Sequence, residues 1–110
     1  MCQILINNYY YRYRQQRKDC KTLVDNANYT QARTKLQNAI AEHQSKYPDS
    51  DTKIDFNFGE KLIMRHSLNH LNAVINKNDP HFIDGSGQIK HQSDIVKSSL
   101  EETPDQTYPA

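Results

Sequence analysis

The stretch YRQQRKDCKTLVDNANYTQARTKLQNAIAEHQSKY, residues 13–47, decides the fold. With Leu5 and Tyr9 upstream, Tyr13, Cys20, Leu23 and Ala27 recur at three or four, Gln16 fills the gap between Tyr13 and Cys20, and all share one stripe on a 3.6-residue wheel. Tyr10, Arg14, Arg17, Lys18 and Lys21 fall on the opposite side, so the segment separates an apolar face from a cationic one, as an amphipathic surface helix does. Asp25-Asn26-Ala27-Asn28 stops this helix and restarts the chain, because Asn tolerates capping and left-handed geometries. Tyr29, Ala32, Leu36, Ala39, Ile40, His43 and Tyr47 form a second stripe, ended by Pro48, which disfavours helical geometry at the residue before it. Two amphipathic helices with so short a connector pack antiparallel, giving a helical hairpin over residues 5–47.

Outward from the hairpin, residues 48–58 read as an acidic linker in which the alternating Ile54, Phe56 and Phe58 are extended. A third helix is predicted over 59–77. Met64, Leu68, Leu71 and Ile75 make one stripe on it, and Phe58, Leu62 and Ala73 sit on the far side, the pattern of an element central to a bundle. Asn78-Asp79-Pro80 opens a loop over 78–92, and Ile89, Val96 and Leu100 support a short fourth helix over 93–102 with Ser93 as its cap. Residues 103–110 read as a disordered tail, which makes 1–102 one helical domain.

Residues 13–48 carry the interlocking small and large apolar residues of a helix pair and resemble a single degenerate tetratricopeptide repeat. In that comparison Cys20 is the small residue of the first helix and Leu23 the large one that follows. Tyr29, Ala32, Leu36 and Ala39 form the series of the second helix. The chain departs from the pattern at Ala27, where Gly is favoured, and at Pro48, which lies about one helical turn late. The resemblance implies a TPR-like hairpin and a protein-binding role.

Composition supports helices. Only 35% of the 110 residues are apolar, and the mean hydropathy is −0.95, so the core must come from narrow stripes on elements whose other faces are wet. Three glycines and four prolines supply too little punctuation for a sandwich or barrel. The longest apolar run, Ile4-Leu5-Ile6, is far short of the roughly 20 residues of a membrane span and too short for a signal-peptide core. No membrane span is expected, and the location predicted is cytoplasmic. The Asn28-Tyr29-Thr30 glycosylation triplet is therefore read as structural. The net charge of +1 hides an asymmetry: residues 1–48 hold eight Lys and Arg against three Asp and Glu, residues 49–110 six against ten. The halves should attract each other or bind different things.

Three local patterns carry chemistry. Phe82-Ile83-Asp84-Gly85-Ser86-Gly87-Gln88-Ile89 looks like part of an EF-hand loop, but its register puts Phe82 at position one and Ser93 at position twelve, where carboxylates are needed. An ordinary turn is the better reading. His66 and His70 have the i, i+4 spacing at which two imidazoles share a zinc ion, but Ser67 stands where a metalloprotease carries its Glu. Surface or half-buried histidines are the expectation, with no metal and no cofactor. The run Tyr9-Tyr10-Tyr11-Arg12-Tyr13-Arg14, continued by Arg17, Lys18 and Lys21, interleaves aromatic and cationic side chains that could stack bases and neutralise phosphates. No phosphate loop, nucleophile elbow or activated carboxylate pair is present, and Cys20 lies on the apolar stripe, where a thiol is inert. No catalytic residue is assigned.

The sequence therefore predicts an all-α protein, a small bundle of three to four helices with an N-terminal antiparallel hairpin. Its function is read as protein–protein interaction, in an accessory, adaptor or regulatory role or as a piece of a larger helical-repeat protein. The partner is another protein or a second copy, and the residues expected to meet it are Tyr10, Tyr11, Arg14, Arg17, Lys18 and Lys21. The alternative is an RNA- or DNA-binding module using the same helix. A lone helical-repeat unit covers its core poorly, so light scattering of the purified chain should give a mass above 12.8 kDa; a monodisperse monomer at high concentration would refute self-association.

Overall fold

The apolar stripes of residues 13–47 wind into two helices, α1 (Cys2–Asp25) and α2 (Tyr29–Lys46), in the computed structural model. The structure describes residues 2–48 and 56–102, with side chains described over 13–48 and 57–102. The linker reading over 49–55, Ile54 included, and the tail reading over 103–110 lie outside the described residues. Beyond the hairpin come α3 (Phe56–Asn76), strands β1 (His81–Ile83) and β2 (Ile89–His91), and α4 (Gln92–Leu100). Over the described residues the protein is a small all-α bundle carrying a two-stranded hairpin.

The turn between α1 and α2 is a Schellman motif. The Asn28 N–H donates to the Leu23 carbonyl at 2.8 Å and the Ala27 N–H to the Val24 carbonyl at 3.0 Å, which places Ala27 at the left-handed position with φ of 60°. Ala27 is consequently exposed and lies outside the helix, not on its apolar stripe. Val24 is buried in its place.

Helix α2 buries Ala32, Leu36, Ala39 and His43, the stripe expected of it. The His43 ring meets Tyr13 of α1 edge-on, centroids 5.0 Å apart, and joins the last turn of α2 to the middle of α1. Contacts then run α1 to α2, α2 to α3, α3 to α4 and α4 back to α1, closing a ring around one core. Met64, Leu71, Val74, Val96 and Leu100 complete that core.

Helix α3 starts three residues before the predicted boundary, so Phe56 and Phe58 are helical and not extended. Helix α4 starts at Gln92, and Ser93 is not its cap. The N-cap is His91, in a capping box with Asp94, whose Oδ2 accepts from the His91 N–H at 2.9 Å, and Asp79 adds a second cap from outside the helix, accepting from the Ser93 N–H at 3.0 Å and from the Ser93 hydroxyl at 2.9 Å. A carboxylate at a helix N-terminus does this better than a hydroxyl, because it also meets the positive end of the helix dipole. Two further bonds tie α4 to α3: Ser67 and Ser99 share a buried hydroxyl–hydroxyl bond of 2.6 Å, and His70 Nδ1 lies 2.8 Å from Gln92 Oε1.

The predicted loop 78–92 contains the β-hairpin, in register His81 with His91, Phe82 with Lys90 and Ile83 with Ile89. Ile89 therefore does not support α4; it is 69% exposed beside Ile83 at 70%. Among the described residues, no helix is long and apolar enough to cross a membrane.

Ala27 holds a conformation in which its Cβ crowds the following carbonyl oxygen. Ala27→Gly should raise the free energy of unfolding by up to about 1 kcal/mol in urea denaturation; a loss of stability would show that the turn has no such strain.

Candidate functional site

The predicted cationic face resolves into a groove of about 490 Å³ between α1 and the end of α4, lined by Arg14, Lys18 and Lys21 on one side and Leu100 and Glu101 on the other. Positions 14, 18 and 21 are spaced four and three apart, so one side of α1 presents all three. Tyr10 and Tyr11 lie in α1, but their side chains are outside those described.

Arg17 corrects the sequence reading. It is not among the solvated cations but is 1% exposed, on the same face as Tyr13, Cys20 and Val24. Positions 13, 17, 20 and 24 follow the four-three-four spacing of a single stripe, and Gln16, placed there by the sequence reading, is only half-buried. Arg17 Nε donates to Glu60 Oε2 at 2.7 Å and Nη2 to Oε1 at 3.2 Å, a two-pronged bond to a carboxylate that is itself 1% exposed. Its remaining nitrogen, Nη1, donates to the carbonyls of Leu100 at 2.9 Å and Glu102 at 2.6 Å. One guanidinium thus joins α1, α3 and the C-terminal end of α4, where a positive charge also meets the negative end of the helix dipole. Glu60 gives no sign of burial in the sequence, where Lys61 follows it before Leu62-Ile63-Met64; an Arg at the spacing of the packing stripe was the signal that a buried carboxylate must exist elsewhere.

Burial pushes the Glu60 carboxyl above its ordinary range, against the opposing pull of Arg17. A carboxyl raised on folding contributes most stability below its unfolded value and loses that contribution as pH rises through the folded one. The pair therefore contributes orientation more than net stability.

The rim of the groove is partly neutralised. Lys21 Nζ lies 3.1 Å from Asp25 and 3.3 Å from Glu101, and these hydrogen bonds, Asp25 first, hold the ammonium above its usual range. Lys97 of α4 reaches the same Asp25 at 3.6 Å. Asp19 accepts from Gln15 at 2.9 Å and stands 3.9 Å from Lys35. Arg14 and Lys18 are exposed and, among the described residues, form no ion pair. Among the described cations lining the groove, they are the two that stand exposed without a carboxylate partner.

The other sequence patterns settle into local roles. Asp84 Oδ1 accepts from the Ser86 N–H at 2.8 Å, the Ser86 hydroxyl at 2.7 Å and the Gln88 N–H at 3.0 Å. These bonds, that from the Ser86 hydroxyl first, hold its carboxyl below the usual range. The loop closes through the Gly87 N–H to the Asp84 carbonyl, and Gly87 takes a φ of 85°, a type I turn with a left-handed glycine. The EF-hand-like run is a hairpin turn whose carboxylate binds its own backbone. Cys20 is buried, and burial pushes its thiol up to about 11, where almost no thiolate exists at neutral pH. Among the described residues no three His, Cys, Asp or Glu side chains gather as a metal-binding group.

Arg17→Met should lower the free energy of unfolding by about 3 kcal/mol or more, because it strands a buried carboxylate and two carbonyls. Adding Glu60→Leu should recover part of that loss in a double-mutant cycle, and strictly additive costs would show that the two residues are uncoupled. The margin of the unmodified protein over Glu60→Gln should widen as pH is lowered from about 7 towards 4.5; a margin that narrows would contradict the raised carboxyl.

No protein family matches this chain, and neither does any curated protein or solved structure.

Proposed function

We propose that the chain is a protein-interaction module whose α1–α4 groove receives an acidic segment of a partner. The observation that carries this reading is the pair Arg14 and Lys18, exposed on one helix face beside a groove and engaged in no ion pair among the described residues. An exposed cation already held by a neighbouring carboxylate must exchange that partner for a new one; Arg14 and Lys18 exchange only water for an arriving carboxylate. The tetratricopeptide-like spacing of 13–48 supports an interaction role, and a buried free thiol at Cys20 suits a cytoplasmic setting.

A polyphosphate chain is a poorer occupant. Asp19 and Glu101 line the same groove, and Asp25 stands at its rim holding Lys21, so a backbone bearing one charge per nucleotide meets carboxylates along its path. An acidic peptide with a few spaced carboxylates and an apolar residue avoids that conflict.

The test is fluorescence anisotropy with a labelled Glu/Leu peptide and, separately, a mixed-sequence single-stranded RNA. The peptide should bind, and Arg14→Ala/Lys18→Ala should weaken it by about tenfold, as expected for two exposed charge contacts. Tighter RNA binding that falls steeply between about 50 and 200 mM salt would replace this reading with the nucleic-acid one.

A further inference from the structure

We infer that His66 and His70 form a two-histidine site for a borderline divalent transition ion such as zinc, copper(II) or nickel. The two residues stand one turn apart on α3, with ring centroids 4.6 Å apart and ring planes at 69°. An ion bound about 2.0–2.1 Å from one nitrogen of each ring lies roughly 3.2 Å from each ring centre. For ligand angles between square and tetrahedral, the two centres must then be about 4.5 to 5.2 Å apart. The observed separation falls inside that window. The second histidine pair of the protein, His81 and His91 across the β-hairpin, has its centroids 6.2 Å apart and falls outside it.

A second observation concerns which nitrogen is free. His70 Nδ1 lies 2.8 Å from Gln92 Oε1, the first residue of α4. An amide oxygen only accepts, so in the neutral ring Nδ1 carries the proton and Nε2 the lone pair. This is the outer contact that orients ligating histidines: the nitrogen facing away from the ion donates to a carbonyl-type oxygen, fixing tautomer and ring direction. His70 is half-buried and held in this way, whereas His66 is exposed and free to adjust its ring to the ion. Imidazole nitrogens favour zinc, copper and nickel over calcium or magnesium.

The site is open. Among the described residues no third ligand stands with the pair, so the remaining positions belong to water or to a side chain brought by a partner. Leu62, Ile63 and Glu102 share a surface recess with His66. The site lies on α3 and does not depend on the groove reading.

Calorimetric titration of the full chain with zinc chloride tests it, together with the electron spin resonance spectrum of the copper(II)-loaded chain. One zinc per chain should bind, the copper spectrum should show nitrogen couplings, and zinc should raise the melting temperature by clamping one turn of α3. His66→Ala, at an exposed position that does not threaten folding, should abolish uptake, and His70→Ala should do the same. Gln92→Ala should weaken binding by about tenfold or more. His81→Ala/His91→Ala should leave it unchanged. Absence of uptake, uptake insensitive to His66→Ala, or uptake lost in the hairpin variant would each overturn the proposal.

Discussion

The bundle is organised by a single guanidinium. Arg17 leaves the water only because four acceptors meet it: two oxygens of Glu60 on α3 and the carbonyls of Leu100 and Glu102 at the end of α4. An apolar side chain at this position would permit several packings of α3 and α4 on α1. A planar fork of donors permits few, since each misplaced acceptor leaves a buried charge uncompensated. Taking the pair out of water offsets much of its mutual attraction, and the raised Glu60 carboxyl carries that same cost. The contribution of the interaction is therefore geometric: it sets where the ring of four helices closes.

That closure also creates the groove. Leu100 and Glu101 line it because Arg17 holds the carbonyls on either side of Glu101, and Lys21 completes the rim by bridging Glu101 and Asp25. The floor and the rim are thus built from one helix, α1, whose buried cation positions the wall while its exposed cations, Arg14 and Lys18, face the opening. Core and surface are coupled through adjacent turns of the same segment.

The other polar contacts divide between fastening α4 and shaping the hairpin. Asp79 caps α4, Ser99 and Gln92 tie it to α3, and only Val96 and Leu100 enter the core deeply. A nine-residue helix buries too little to dock by apolar area alone, so it depends on such bonds. In the hairpin, the Asp84 carboxylate is consumed by its own turn, while Ile83 and Ile89 face solvent opposite one another.

The sequence by itself determined the helices, the hairpin and most of the core. The stripes on α2 and α3 were legible because a 3.6-residue period is local, and the break at Asp25–Asn28 was legible because its residues suit a turn whatever surrounds them. The three-residue strands were not, since each is too short to show a period of two and exists only by pairing with the other. Nor was the role of Arg17. Periodicity assigned the cations of α1 to one solvated face, and Arg17 sits near its edge; which way such a residue turns is decided by a carboxylate 43 residues further along the chain. The same holds for the histidines, whose spacing was visible from the start but whose orientation depends on Gln92 of another helix. Short-range order follows from the backbone and its neighbours, whereas the destination of a buried charge or an oriented imidazole depends on a partner that only the folded chain brings within hydrogen-bonding reach.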